Sequence, residues 1–280
     1  MMRLMNNAYS GLSAVQERID TISNHIANLN TPGFKRKDAT FEDVLTQTMK
    51  QPSKFQKDGR LTPNGLTVGN GTRLGRDILQ FTQGNLDQTG NTYDLAIEGD
   101  AMFEIATSRR FPDGTIDTQT KYTRDGAFRL TTQPGDQENQ YLVSQEGYFV
   151  RDLTDNPVKL PKGQTISFSS EGKIYANNGK ETTEVGQLKI VRVLRPQALQ
   201  PVGGNMYQLD PQSAQAVSTF QGNTPGTNQI AIHQGALELS NVDLTQEMTE
   251  LILMQRAFQL NSRAMSTADQ MMNSANNLRG

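Results

Sequence analysis

Four carboxylates, Asp94, Glu98, Asp100 and Glu104, crowd into the stretch "DLAIEGDAMFE". Paired carboxylates can act as general acid and base, or as oxygen ligands of a divalent cation. The spacing matches no metal-loop signature, and Gly99-Asp100 is ordinary turn chemistry, so a turn is the simpler reading. Asp125-Gly126 reads the same way. The chain has 2 His and 0 Cys, which excludes disulfides, thiolate metal sites and a Cys nucleophile. Two distant histidines, His25 and His233, make a poor zinc site. Ser10 and Ser13 have no base partner in view, and Gly69 and Gly71 do not sit at a strand-to-helix turn that would cradle phosphate. No catalytic residue, cofactor or metal ligand is expected.

Chemistry being thin, the scaffold carries the reading. The chain has 280 residues, room for one large domain or two smaller ones. Lys+Arg 27 against Asp+Glu 29 leaves a net charge of -2, which gives no electrostatic case for nucleic acid or an anionic membrane. Hydrophobic content of 35% is lean, so part of the chain is expected to lack a dense core of its own. No apolar run is long enough to span a membrane. The opening "MMRLMNNAYSGLSAVQERID" lacks the apolar core of a cleavable signal peptide, so any export would use a route that reads none.

Met1, Met5, Ala8, Leu12, Val15, Ile19, Ile22, Ile26 and Leu29 recur in alternating steps of four and three, a heptad seam. At the other end Leu237, Leu244, Leu251, Phe258, Met265 and Met272 fall in steps of seven, with Met254, Asn261, Ala268 and Ala275 filling the second seam position. Ser240-Asn241 before Asp243 reads as an N-cap, with Glu247 and Glu250 early and Arg256, Arg263 and Arg279 later, as the helix dipole favours. Two heptad helices of similar length at the two ends are expected to pair as a coiled coil. The alternative is that each packs separately on a globular core. His25 falls off the seam and is expected to be a polar packing residue.

The other side of these helices carries Asn6, Asn7, Asn24, Asn28, Asn273, Asn276 and Asn277 in place of the usual Lys and Glu. Asn weakens a helix because its amide competes for the backbone. An uncharged polar face suits further helices pressing in. These ends are therefore expected to be weakly ordered alone and to firm up when copies assemble.

Between them, Thr31-Pro32-Gly33 stops the first helix, and Phe41 to Met49 is expected to form one further short helix. Residues 51 to 77 carry Pro52, Pro63, Gly59, Gly65, Gly69, Gly71 and Gly75, and "GLTVGNGTRLG" reads as an extended ribbon. From Ile78, short alternating runs such as "YDLAIEGDAMFEIA", "KYTRDGAFRL" and "TISFSSEGKIYAN" are punctuated by turn pairs, the pattern of hairpins. The expected fold class is α+β: an N-terminal helix in 1–36 pairing with a C-terminal helix in 237–280, an extended linker at 37–77, an all-β domain at 78–209 and a return segment at 210–236.

Several stretches resemble the axial family of the bacterial flagellum, the rod and hook proteins. "SNHIANLNTPGFKR" is similar to its N-terminal signature and carries Asn28, Thr31, Gly33 and Phe34. "YDLAIEGDAMFEI", with Asp94, Gly99 and Asp100, resembles its central strand-turn-strand motif, although Ala101-Met102-Phe103 stands where the family often has Gly followed by two aromatics. "YTRDGAFRL" and "YLVSQEGYFV" resemble the segments that follow. "LELSNVDLTQEMTELILMQRAFQLNSRAMSTADQMM", with Asn241, Gln255 and Arg256, looks like its C-terminal helix motif. "LTPNGLTVGNGTRLG" ahead of "QGNLDQTGNTYDLAIEGD" is closest to the distal-rod branch and its rod-hook paralogues.

The resemblance implies a structural subunit and not an enzyme, one that self-assembles into a hollow helical tube and transmits torque to the hook. The implied partners are copies of itself, other rod proteins, the hook protein and the flagellar type III export apparatus. The implied place is the basal body. A peptidoglycan-active enzyme built on an axial scaffold, or a secreted β-rich adhesin, are the competing readings. The former would need Asp94, Glu98 and Asp100 to converge.

Overall fold

The computed structural model describes residues 2–44, 46–49, 66–69, 71–110, 116–133, 138–179, 181–220 and 230–277. The chain is α+β, with a helix at each end and strands between. It divides into two units: residues 1–27, 37–78 and 243–280 form the first, residues 28–36 and 79–242 the second.

In the first unit, α1 spans Met2–Ala27 and α2 spans Leu244–Asn277. They run antiparallel, as three contacts show. His25 meets Glu247 at 3.1 Å, Arg18 meets Glu250 at 2.7 Å, and Gly11 lies against the Asn261 amide. A side chain on Gly11 would crowd that amide. The face of α1 that is enclosed carries Ala8, Ala14, Val15, Arg18, Ile22 and His25, with Met5, Leu12, Ile19 and Ile26 half-buried beside it. On α2 the packed side runs through Glu247 and Ala268, which are buried, and Leu251, Met254, Phe258, Asn261, Met265 and Met272, which are half-buried.

Several expected positions fall elsewhere. Leu29 lies past the end of α1, in the second unit. Leu237 belongs to a strand, and Leu244 and Ala275 are exposed. His25, off the seam, is the polar packing residue expected: it is enclosed, with Glu247 as the partner of its ring. The cap of α2 is Asp243, whose Oδ1 accepts from the N–H groups of Thr245 and Gln246 at 2.8 and 3.3 Å. Met1 and Arg279 lie outside the described residues.

Phe41 to Met49 is not a helix. Phe41–Asp43 pairs antiparallel with Thr72–Leu74, and Thr46–Met49 with Leu66–Gly69. Arg73 reaches across to Glu42 at 3.0 Å, so strand pairing overrides local helix preference. The ribbon reading of "GLTVGNGTRLG" matches these strands over its described residues. The ribbon touches α1: Asn7 Nδ2 donates to the Gly69 carbonyl at 3.3 Å. Gly71, at φ +111°, sits so close to Ser10 that any side chain would collide with its hydroxyl. Pro52, Gly59, Pro63 and Gly65 lie outside the described residues.

The second unit is built on a ten-stranded sheet around Ala101–Arg110. That strand pairs antiparallel with Ile116–Thr123, with Ile190–Val193 and with Phe149–Val150. Its alternation feeds two apolar clusters. Phe103 and Ile105 enter the larger one, with Leu95, Ile97, Leu142 and Ile190. Met102 enters the smaller one, with Tyr122, Val191, Leu199 and Tyr207. A strand covered on both sides explains why "AMFEIA" is apolar almost throughout. Thr165–Phe168, Lys173–Asn177 and Thr182–Gln187 form a separate three-stranded sheet. The stretch expected to be a return segment supplies strands: Val217–Thr219 pairs with Ile190–Val193, and Ala231–Gln234 with Leu95–Glu98.

Candidate functional site

The carboxylates that could have done chemistry do not converge. Asp94 is buried in a turn, accepting from Thr89 Oγ1 at 2.5 Å and Asn91 Nδ2 at 3.1 Å. Glu98 meets His233 at 2.8 Å on the exposed side of its strand pair. Asp100 is exposed. Glu104 takes Arg151 and Lys189, each at 3.1 Å. All four share one alternation phase, but the turn at Gly99 parts the strand Leu95–Glu98 from the strand Ala101–Arg110, so the acids meet different neighbours. A groove of about 690 Å³ runs past Tyr93 and Asp94 to Phe128 and Arg129, but it faces no pair of carboxylates. Among the described residues no three His, Cys, Asp or Glu are placed to hold a metal ion, and no helix is long and apolar enough to cross a membrane.

What the second unit does assemble is a buried charge cluster. Glu238 lies on the strand Ala236–Glu238, which pairs with Leu86–Gln88. Its Oε1 accepts from Lys35 Nζ at 2.7 Å and from the Gly84 N–H at 2.8 Å. Its Oε2 accepts from Arg124 Nε. Lys35 Nζ also donates to the Thr82 carbonyl at 2.8 Å. Arg124 donates through its two terminal nitrogens to the carbonyls of Ala101 and Ile97. All three charged side chains are enclosed. Burial pushes the Lys35 ammonium below its usual pKa of 10.5, with Glu238 working against the shift. Since three donors already hold Glu238, the cluster has the chemistry of a fastening and not of a proton shuttle.

Around it the motif residues close a turn. Gly33, at φ +69°, donates its N–H to the Glu238 carbonyl at 2.8 Å. Any side chain there would strike the backbone at Arg124 and Asp125. Thr31 bonds back to Asn28, and Asn205 Nδ2 donates to the Pro32 carbonyl at 2.9 Å. Asn241 is not the helix cap. Its Oδ1 accepts the Arg36 N–H at 2.8 Å, and its Nδ2 donates to the carbonyls of Gln80 and Thr82. Phe34 is half-buried, and Gly99 turns at φ +99°. Thus Asn28, Thr31, Gly33 and Asn241 gather at one place. Asp94 holds a different turn, and Gln255 and Arg256 lie exposed on α2.

Sequence reasoning did not single out Lys35, Arg124 or Glu238. One signal was available: Ala236, Glu238 and Ser240 share the inward phase of their strand, where a lone Glu demands a buried cation.

In the first unit, Arg18 bridges Glu250 and Asp38. The His25 ring accepts the Lys37 N–H at Nε2 at 3.1 Å and faces Glu247 with Nδ1. On α2, Leu244, Met248, Ile252, Leu253, Leu260 and Met271 are exposed, Leu260 by 64% and Leu253 by 54%. A run of large apolar side chains left open along one helix is a surface awaiting cover.

Three family models match in chain order. Residues 5–35 match the flagella basal body rod protein family. Residues 96–176 match the D1 domain of the flagellar hook protein FlgE/F/G family, and residues 233–278 the C-terminal region of the flagellar basal body rod FlgEFG proteins. Each matched region contributes one member of the buried trio, Lys35, Arg124 and Glu238 in turn. Among curated relatives, the flagellar basal-body rod protein FlgG of Borreliella burgdorferi is 36% identical over 100% of this chain and 99% of its own length. FlgG of Bacillus subtilis is 35% identical over the whole of both chains. The flagellar hook-basal body complex protein FlhP of Bacillus subtilis is 31% identical, again over both whole chains. With full-length relatives above this level and family matches at both ends and in the middle, the chain belongs to the flagellar basal-body rod protein family.

Proposed function

We propose that the chain is a structural subunit of the flagellar basal-body rod, assembling with copies of itself and with other rod and hook proteins into a hollow helical tube that carries torque. The observation that carries this reading is the open apolar stripe of α2, on a helix whose other side already packs on α1. Burying six such side chains against neighbours is a strong drive to assemble.

In this reading Leu12, Val15, Ile19, Ile22 and Ile26 interleave with Leu251, Met254, Phe258, Met265 and Met272 as a heptad pair. The asparagines and the α2 stripe then meet other subunits. The chain leaves the cell through the flagellar type III apparatus without a cleaved signal peptide and resides in the basal body, in the distal-rod branch of the family. The peptidoglycan-enzyme reading rests on acids that sit in separate ion pairs and turns.

The test is mass spectrometry of purified hook-basal bodies, with a deletion strain scored for swimming. The chain in the rod fraction and a non-motile deletion are expected. Its absence from the particle, with motile deletion cells, would overturn the proposal.

A further inference from the structure

The chain passes between its two units after residues 27, 36, 78 and 242. The residues that adjoin those four crossings on the second unit's side are the ones tied into the buried cluster. Gly33, Lys35 and Arg36 come from 28–36; Gln80, Thr82 and Gly84 follow 78; Glu238 and Asn241 precede 242. From this we infer that the Lys35–Glu238–Arg124 cluster is a latch, which seats all the connecting stretches on the β unit together and releases them together.

The physical reason is the charge count. Lys35 and Arg124 are two enclosed cations whose one shared enclosed anion is Glu238. An enclosed cation without its counter-charge is strongly unfavourable. The stretch 28–36 therefore cannot settle on the sheet until residue 238 arrives from the far end of the chain. Once Glu238 is in place, five hydrogen bonds close with it: Gly33 N–H to the Glu238 carbonyl, Arg36 N–H to Asn241, Gln80 N–H to the Arg36 carbonyl, Gly84 N–H to the Glu238 carboxylate and Leu239 N–H to the Asn85 carbonyl. The latch thus couples the seating of the N-terminal turn to that of the C-terminal segment. This inference does not depend on the rod reading.

Amide hydrogen exchange on the full chain tests it. In the unmodified protein, under rising sub-denaturing denaturant, the amides of Gly33, Arg36, Gln80, Gly84 and Leu239 should merge into one shared opening. That opening should lie below the one that exposes Phe103 and Ile105. In Glu238→Gln, all five should lose protection together, on the order of a hundredfold or more, while Lys173–Asn177 in the separate three-stranded sheet keeps its own. Lys35→Met leaves Glu238 its Arg124 partner and should cost less than Glu238→Gln. Independent exchange of the five amides in the unmodified chain would overturn the latch. So would loss confined to Gly84 in Glu238→Gln, or opening only together with Phe103.

Discussion

Leu260 and Leu253 on α2 stand more than half open, whereas Phe103 and Ile105 in the β unit are wholly enclosed. Both units hold ion pairs, the enclosed Arg18 with the half-buried Glu250 in one and the enclosed Lys35 with the enclosed Glu238 in the other. They differ in what they do with apolar surface. The β unit closes two apolar clusters by itself. The helical unit spends one side of α2 on α1 and leaves the other side uncovered. A chain arranged this way has one part that is finished alone and one part that is finished by its neighbours.

That contrast can be broken from either side. Phe103→Ala should cost the β unit about 3–5 kcal/mol, read as a fall in its melting midpoint. An unchanged midpoint would mean that the β unit does not depend on its own core. Ile22→Asp or Leu251→Asp should stop assembly while the β unit's thermal transition stays in place, because the buried charge falls in the helical unit. A swimming strain with normal rods would contradict this.

A smaller effect separates Lys35 from Lys189, both in the β unit. The Lys35 ammonium is held below 10.5 by burial, so over that window the unfolded chain binds the extra proton and stability from this group rises with pH. Burial also acts against the Lys189 ammonium, but its bonds to Asp155 and Glu104 outweigh that and hold it above 10.5. Its contribution is whole below 10.5 and is lost as pH climbs through the raised value. Melting curves from neutral pH to 10.5 should therefore show a Lys35-dependent gain that Lys35→Met abolishes. The smallest expected change is at Asp125, whose carboxyl is raised chiefly by burial and further by the nearby acids Asp94 and Glu146, with its bond from the Ala127 N–H opposing. This group favours folding only below 3.8 and loses that as pH rises. Asp125→Asn keeps the acceptor for the Ala127 N–H and should raise stability at neutral pH by up to about 1 kcal/mol, measured by denaturant melting.

The sequence shows its regular features and hides its distant ones. Heptad spacing located both terminal helices, because a helix side in contact repeats locally. Alternation located the strands of "YDLAIEGDAMFEIA" for the same reason. Phe41 to Met49 misled because its partners, Leu66–Gly69 and Thr72–Leu74, decide its conformation from outside the local window. Leu244 misled because it keeps the heptad spacing yet starts the stripe that stays open. Asn241 looked like a cap because Asn is a good one, but Asp243 holds that place and leaves Asn241 to tie Arg36, Gln80 and Thr82. The buried trio is the hardest case. Its members stand in three separated motifs, and no single stretch reveals that one carboxylate serves two cations.

The most direct test of an unfinished helical unit beside a finished β unit uses Leu260→Asp. Basal bodies would be purified from cells carrying this variant and from wild-type cells, and the chain in the rod fraction quantified by mass spectrometry, alongside the melting of each purified protein. The account predicts wild-type chain in the rod, and a variant that melts like wild type yet is missing from the particle. A variant incorporated at the wild-type level would contradict it.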